Sequence, residues 1–218
     1  MILGLVGSEM CIRDSCNSHS SFLDKVNMSN LCQEITLPTK PIQHIDDPDG
    51  EIALCILSAI NVGKINRLDE LEDLCDLSVR GLEELIDYQG YPVKAAENST
   101  KKRRSLGIGF IGLAHYLAKN GEHYDDASAW QLTHDLTEAF QYYLLKSSNQ
   151  LAQEKGKCEY FDRTKYSQGI LPIDTYKSDV DEIVPNNLKY DWESLRTSIT
   201  TYAVSYTHLR AHETQYHL

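Results

Sequence analysis

Three side chains that can take part in chemistry occupy alternate positions in one short segment of the chain. Asn30, Cys32 and Glu34 supply an amide, a thiol and a carboxylate, with Leu31 and Gln33 between them. An extended backbone points alternate side chains to one side, so the three groups would share a face. A carboxylate can accept the proton of a hydroxyl group, and an amide can orient one by hydrogen bonds. The spacing predicts a small polar site around a thiol.

The carboxylate of Glu34 limits what the thiol of Cys32 can do. A neighbouring negative charge raises the pKa of a thiol and disfavours the thiolate that a nucleophile needs. Radical chemistry is therefore favoured over thiolate chemistry if Cys32 reacts. From the residues alone, the alternative that Cys32 is an unreactive structural thiol stays open.

Composition and charge exclude several classes of function. The chain has 218 residues, 41% of them hydrophobic, and a formal net charge of -11. No apolar stretch reaches the roughly 20 residues that cross a bilayer, and the start lacks the basic region of a secretory signal, so no membrane partner is expected. The acidic charge disfavours nucleic acid as a partner. The only basic run, Lys101–Arg104, lacks aromatic neighbours and is interpreted as a solvated loop.

The cysteines indicate a reducing compartment. None of them forms a C-x-x-C pair, and their spacing follows no disulfide framework. A cytoplasmic location fits this pattern best. The six positions are Cys11, Cys16, Cys32, Cys55, Cys75 and Cys158.

An extended segment, a turn and a strand are expected after Glu34. Pro38 and Pro41 forbid helix and keep the chain extended, and residues 47–50, Asp-Pro-Asp-Gly, have turn chemistry. Residues 51–60 form a nearly continuous apolar run, which predicts a strand covered on both faces, as in parallel sheets and barrels.

Cys55 lies on this predicted strand. Alternation puts it on the same face as Ala53 and Leu57. From its position alone, Cys55 is interpreted as a core residue of the strand.

Helical periodicity dominates the rest of the chain. Further helices are predicted over residues 106–120 and 128–155, stopped by Gly121 and Gly156, and a last helix capped by Asp191 runs through Ile199. Before them, a helical stripe with Cys75 as a packing residue comprises Leu68, Leu71, Leu74, Cys75, Leu82, Leu85 and Ile86.

Two patterns on these helices have competing interpretations. Tyr116, Phe140, Tyr142 and Tyr143 are interpreted as packing aromatics, with an electron relay as the alternative. Residues 107–112 match G-x-G-x-x-G, but a polar segment precedes them and no βαβ unit is apparent, so a dinucleotide turn is rejected. The glycines are instead expected to let a helix pack closely.

Both ends of the chain change composition abruptly. Residues 1–15 and 204–218 fit no periodicity and resemble translated sequencing adapter, so we treat them as non-native segments around a native span of residues 16–203. His208, His212 and His217 fall in the second segment and are not taken as zinc ligands.

The segment Ser29–Glu34, followed by Ile35–Lys40, resembles the finger loop of class I ribonucleotide reductase large subunits. The resemblance is specific because it continues in order through the native span. It extends through Gly50–Cys55, Leu106–Gly109, Tyr142–Leu145 and Gly169–Tyr176.

The resemblance implies a fold and the roles of four residues. The fold is α/β: a partial ten-stranded α/β barrel of the ribonucleotide reductase type, with a cysteine-bearing finger loop and several outer helices, and residues 16–203 form part of that catalytic barrel domain. Cys32, as a thiyl radical, would take hydrogen from the 3′ carbon of a ribonucleoside diphosphate substrate. Glu34 would accept the 3′ hydroxyl proton, Asn30 would orient the sugar, and Cys55 would be one member of the reducing cysteine pair.

The resemblance also implies the cofactors and partners. No cofactor is expected in this subunit. The radical would come from a metal-containing small subunit, thioredoxin or glutaredoxin would serve as reductant, and the large subunits would form a homodimer. ATP/dNTP effectors would bind regions absent here. The partner of Cys55 would lie upstream of Cys16, and the radical-transfer tyrosines downstream of Ala203, so the fragment alone is expected to be inactive.

Two other functions stay open at this point. One is another thiyl- or glycyl-radical enzyme, although the acid at position 34 argues against an anaerobic reductase that uses formate. The other is a helical interaction module, which the helix-rich stretch Leu68–Lys155 favours.

Sequencing the source locus across both ends of residues 16–203 tests the assignment of the termini. We expect the reading frame to continue upstream to a second active-site cysteine and downstream to a tyrosine pair and C-terminal thiols. If the locus encodes the termini as they stand in this chain, the radical site is incomplete and a scaffold becomes the better account.

Overall fold

The computed structural model describes residues 26–29, 36–175, 178–185 and 187–205. The described part contains four short strands and five α-helices, with several 3-10 turns between them. In chain order the elements are β1 (Val26–Ser29), β2 (Thr36–Pro38), β3 (Ile56–Asn61), α1 (Glu70–Tyr88), α2 (Lys94–Arg103), β4 (Leu106–Ile111), α3 (Leu113–Lys119), α4 (Ala127–Lys155) and α5 (Trp192–Tyr202).

Strands β1 and β2 pair antiparallel, and Ser29↔Thr36 is the pair nearest to the segment between them. The extended course predicted around Pro38 is confirmed by β2 and by the backbone bridge between Lys40 and Glu51. The turn at residues 47–50 is also confirmed, because the Asp47 carboxylate accepts the backbone N–H of Asp49 at 2.9 Å. A short side chain that binds the backbone two residues onward stabilises such a turn.

Strands β3 and β4 pair in parallel, from Ile56↔Leu106 to Asn61↔Ile111, and α1 and α2 connect them. The prediction of a strand in this region is confirmed, but the strand begins at Ile56 rather than at residue 51. Within the described part the expected cover is present on one face only, because Leu57 on the other face is 50% exposed. In the described part this sheet has two strands, with helices packed against one face.

The predicted helix over residues 106–120 is wrong in its first half. Leu106, Ile108 and Phe110 alternate with glycines, and all three lie in the core as part of β4. Periodicity over so short a run cannot separate a strand from a helix. The glycine pattern therefore belongs to a strand and to the turn before α3, and the βαβ unit judged absent from the sequence is present as β3–α1–α2–β4.

The first core cluster lies between α1, α4 and the β3–β4 sheet. Most of the predicted stripe is confirmed, because Leu71, Cys75, Leu82 and Ile86 are buried, but Leu85 is 46% exposed. Cys75 is 0% exposed, which confirms it as a packing residue. Burial raises the pKa of the Cys75 thiol to about 12. Phe110 meets Phe140 edge to face with ring centroids 5.5 Å apart, which joins the sheet to α4.

The second core cluster joins the end of α4 to α5. Asp191 accepts the backbone N–H of Ser194 at 3.0 Å, as its predicted capping role requires, although α5 runs to Tyr202 rather than to Ile199. Tyr142 stacks on Tyr190 at 4.7 Å between centroids, in keeping with a packing role. Tyr116, Phe140 and Tyr143 are likewise buried.

Val204 and Ser205, the first two residues of the C-terminal segment interpreted as non-native, pack beside this second cluster. Val204 accepts the backbone N–H of Cys158, and the backbone N–H of Ser205 donates to the Ser148 carbonyl, both at 3.3 Å. Both residues are buried. Among the described helices, none is long and apolar enough to cross a membrane.

Replacing Gly112 by Ala in the complete protein should lower its stability more than the matched change Gly121→Ala. Both glycines have left-handed φ angles, +84° and +79°, which strain any other residue by roughly 1–2 kcal/mol. A Cβ at Gly121 meets nothing within 4 Å, but one at Gly112 would lie 2.5 Å from Asn61 Oδ1. That oxygen caps the turn after β3 by accepting the Gly63 N–H. Urea unfolding measures both losses, and equal losses would contradict this assignment of the cap.

Candidate functional site

One of the four predicted site residues, Cys55, lies among the residues that the structure describes. Asn30, Cys32 and Glu34 lie outside the described residues. Their flanking strands are described, so the ends of their segment are positioned by the Ser29↔Thr36 pair. Cys55 is described and lies directly before β3.

Cys55 faces a gap that a glycine leaves in the neighbouring strand. A Cβ built on Gly107 would lie 3.1 Å from Cys55 Sγ and would collide with a methyl group of Leu57. The sulfur therefore lies almost against the β4 backbone, and Leu57 lies on the same side, as alternation along the strand predicts. Behind Cys55, the Ile56 N–H donates to the Ser105 carbonyl at 3.4 Å, which begins the pairing of the two strands.

The exposure of Cys55 distinguishes it from the other two cysteines of the described part. Cys75 and Cys158 are buried, and burial raises the pKa of each thiol to about 12, so both are unreactive. Cys55 is half-buried, so it is less shielded from solvent than the other two. This exposure supports a chemical role rather than the core role that its position in an apolar run indicates.

A buried carboxylate lies four residues before Cys55, at the centre of a polar network. Glu51 is 2% exposed, and its two oxygens accept from three side chains. Lys40 Nζ lies 2.6 Å from Oε1, and Arg103 Nη2 lies 2.6 Å from Oε2. The Tyr160 hydroxyl donates to Oε1 at 3.0 Å. We call Lys40, Glu51, Arg103 and Tyr160 the Glu51 network.

The electrostatics of this network keep Glu51 charged. Burial alone would raise the pKa of the Glu51 carboxyl, but hydrogen bonds from Lys40, Arg103 and Tyr160 together outweigh it and lower that pKa below its usual value. The bond to Glu51 in turn raises the pKa of Lys40. The guanidinium groups of Arg103 and Arg163 each lie 4.8 Å from the centre of the Tyr160 ring, a cation–π distance.

The interpretation of Lys101–Arg104 as a solvated loop is wrong. Its first three residues end α2, and Arg103 is 2% exposed because its guanidinium binds Glu51. Arg104 takes a left-handed conformation with φ +48° and binds the carboxylates of Glu83 and Asp87 at 2.7 and 2.8 Å. Arg103 and Arg104 of the run thus bind the buried acids Glu51 and Glu83, while Lys101 stays exposed and pairs with Glu97.

Sequence reasoning missed the Glu51 network, although one signal for it was available. Glu51 opens a long apolar run, and a carboxylate that is buried with such a run requires a cationic partner. The partner itself could not be found from local pattern, because Arg103 lies 52 positions away.

The described geometry presents one accessible thiol on a rigid support. Cys55 is held between the Glu51 network and the start of β3, so its backbone position is fixed at both ends. A thiol in such a place can exchange with a second sulfur or approach a small substrate. Among the described residues no group of acids, histidines and cysteines could hold a metal ion.

Replacing Gly107 by Val in the complete protein should shield the Cys55 thiol. The added side chain would lie against Sγ, so we expect alkylation of Cys55 by iodoacetamide to slow several-fold, measured by mass spectrometry of the labelled peptide. Gly81→Val is the matched control, because a Cβ there meets nothing within 4 Å. An unchanged rate in a folded Gly107→Val protein would mean that Gly107 does not border the thiol.

The chain matches a known family over almost its whole length. The family described as "Ribonucleotide reductase, barrel domain" matches residues 7–212.

Curated relatives carry names from the same family. The chain is 59% identical over 201 residues to the ribonucleoside-diphosphate reductase subunit alpha of Haemophilus influenzae, covering 91% of this chain and 27% of the relative. It is 56% identical to the ribonucleoside-diphosphate reductase 1 subunit alpha of Escherichia coli and 40% identical to the subunit alpha of Enterobacteria phage T4, each over 91% of this chain and 26% of the relative. The chain thus spans about a quarter of the length of these relatives.

Proposed function

The chain belongs to the ribonucleotide reductase barrel-domain family, and we propose that it is part of the catalytic large subunit of a class I ribonucleoside-diphosphate reductase. The observation that carries this proposal is the family match over residues 7–212. The half-buried Cys55 beside Gly107 supports it, because a reducing cysteine must be accessible to substrate and to a partner sulfur.

The fold of the described part is α/β, and its proposed complete form is a ten-stranded α/β barrel. Two features support this form. Strands β3 and β4 are parallel and connected through helices, which is the unit that closed parallel barrels repeat. Leu57 and Ile111, on one face of this pair, are 50% and 51% exposed in the described part, and closure of the sheet into a barrel would remove that face from solvent. The cysteine-bearing finger loop would connect β1 and β2.

In the proposed reaction, Cys32 starts and ends as a thiyl radical. The Cys32 sulfur takes the hydrogen atom from the 3′ carbon of a ribonucleoside diphosphate, which leaves a carbon radical and a thiol. Glu34 accepts the 3′ hydroxyl proton, the role that a carboxylate within hydrogen-bond reach performs. Asn30 holds the sugar hydroxyls by its amide. These three roles rest on the family's motif at Asn30, Cys32 and Glu34.

Cys55 and a second cysteine outside this chain complete the reduction. The 2′ hydroxyl leaves as water with a proton from this pair, and the pair provides two electrons as it becomes a disulfide. Cys32 then returns its hydrogen atom to the 3′ carbon and is a thiyl radical again, and Glu34 returns its proton to the 3′ oxygen. The balance is one ribonucleoside diphosphate and two thiols giving one 2′-deoxyribonucleoside diphosphate, one disulfide and one water.

The proposed reaction requires partners that this chain does not contain. A metal-containing small subunit would generate the radical, thioredoxin or glutaredoxin would reduce the disulfide, and ATP/dNTP effectors would bind other parts of a homodimer of large subunits. We propose a cytoplasmic location, because a reducing compartment maintains the thiols on which the cycle depends.

We also propose that residues 1–15 and 204–218 are not native to the subunit. The native span would then supply part of the barrel domain. A protein made only of that span would lack half of the barrel and the radical route, so we expect it to reduce no nucleotide.

Replacing Cys32 by Ser in the complete subunit tests the proposed function. We expect turnover of ribonucleoside diphosphate to be lost while nucleotide binding, measured by calorimetry, is kept, because a hydroxyl group cannot hold the radical. Cys55→Ser should also abolish sustained turnover, because the disulfide cannot form. Cys75→Ala is the matched control, since Cys75 is a buried packing residue and turnover should continue. Full turnover by the Cys32→Ser protein would leave a scaffold as the better account.

A further inference from the structure

We propose that the Glu51 network is a positioning device that holds the exit of the finger loop and the Cys55 segment at a fixed separation. This inference rests on the proposed function and deepens it. It assigns Lys40, Glu51, Arg103 and Tyr160 as positioning residues, which act through the reactive cysteines and do not touch the substrate.

The first support is the double connection between Lys40 and Glu51. Their backbones exchange two hydrogen bonds, from Lys40 N to Glu51 O at 3.1 Å and from Glu51 N to Lys40 O at 3.2 Å. Their side chains form an ion pair at 2.6 Å in addition. The same two residues are therefore joined through both backbone and side chain, which fixes their orientation as well as their distance.

The second support is where these two residues lie along the chain. Lys40 follows β2 by two residues, and β2 pairs with β1 on the other side of the finger segment. Glu51 precedes Cys55 by four residues. A displacement between Lys40 and Glu51 would therefore change the position of the finger segment relative to Cys55.

The third support is the attachment of this pair to the helical layer. Arg103, at the end of α2, binds the Glu51 carboxylate through two nitrogens, at 2.6 and 2.8 Å. Ile52, the residue after Glu51, donates its backbone N–H to the carbonyl of Ala95, which lies at the start of α2, at 3.1 Å. Both ends of α2 thus hold the segment that leads to Cys55.

Tyr160 completes the network from a different part of the chain. Its hydroxyl donates to Glu51, and its backbone N–H donates to the Lys102 carbonyl at 3.2 Å. Lys40 Nζ lies 5.6 Å from the centre of the Tyr160 ring, and the Arg103 guanidinium lies close to the same ring. The ring therefore lies close to both cations that bind the carboxylate.

The energetics favour a positioning role over a purely stabilising one. Taking charges out of water costs free energy that a buried ion pair only partly recovers, so such a pair is a weak source of net stability. What it provides is direction, since the two charge-assisted contacts from Arg103 Nε and Nη2 to Glu51 Oε2 fix the guanidinium relative to the carboxylate. A misplacement of about 1 Å between reacting groups can slow a reaction by about 100-fold.

The test is steady-state and single-turnover kinetics of Lys40→Met, Glu51→Gln and Tyr160→Phe in the complete reductase. We expect kcat to fall by about 10- to 100-fold for the first two and less for Tyr160→Phe, with KM and substrate affinity unchanged. The double variant Lys40→Met/Glu51→Gln should be no slower than the worse single variant, because both remove one device. Lys40→Arg should restore most of kcat, because it restores the cation.

Glu83→Gln is the matched control. Glu83 is a buried carboxylate paired with an arginine, like Glu51, but it lies on α1 and contacts Arg104. Burial raises the pKa of Glu83, so we expect Glu83→Gln to lower the melting temperature less than Glu51→Gln does, and to leave kcat unchanged. If Glu51→Gln does not fold, Lys40→Met and Tyr160→Phe carry the comparison, because Lys40 is at the partly exposed edge and Tyr160→Phe keeps the ring.

The outcomes separate this inference from the proposed function. If the folded network variants keep the kcat of the parent reductase, or if Glu83→Gln loses as much kcat as they do, the positioning role is wrong while the proposed function stands. If the complete parent protein reduces no ribonucleoside diphosphate, the proposed function itself fails. A selective loss of kcat with unchanged affinity supports the positioning role.

Discussion

The buried charge of Glu51 is the constraint on which the arrangement around Cys55 depends. A carboxylate withdrawn from water must be met by cations and donors, and here they come from three separate parts of the chain, at Lys40, Arg103 and Tyr160. Satisfying one side chain therefore brings together the segment after β2, the end of α2 and the chain beyond α4. The position of the half-buried Cys55, four residues after Glu51, depends on these contacts.

Much of the helical structure could be predicted from sequence because its signals are local. The apolar stripe on α1, the glycine that ends α4 and the aspartate that caps α5 each act within one or two turns of their own element. The burial of Cys75 follows from the same stripe. Cys55 was a different case, because an apolar run predicts burial, and it was the motif around it that marked it as a site residue.

The remaining features depend on partners far away in sequence. Leu106–Ile111 becomes a strand because β3, fifty residues earlier, pairs with its backbone. Arg103 and Arg104 look like solvated charges until Glu51, Glu83 and Asp87 are brought to them by the packing of α1 and α2. A short pattern of glycines or cations does not indicate which distant residues will contact it. The predictions for residues 106–111 and for Lys101–Arg104 were therefore wrong for the same physical reason.

The doubly joined pair of Lys40 and Glu51 also closes a ten-residue surface loop, residues 41–50, at its base. The tip of this loop is exposed, with Ile45 at 67%, and the buried Asp47 carboxylate holds the loop by accepting the backbone N–H groups of Gln43 and Asp49. The entropic cost of bringing the two ends of a loop together rises by only about 0.6 kcal/mol for each doubling of loop length. The Lys40–Glu51 pair can therefore still form when the exposed tip of the loop is made longer or shorter. The exposed tip near Ile45 is therefore the place in this loop where an inserted label would disturb least, since Asp47 and Pro48 fix the rest by accepting from Gln43, Asp49 and Asn98.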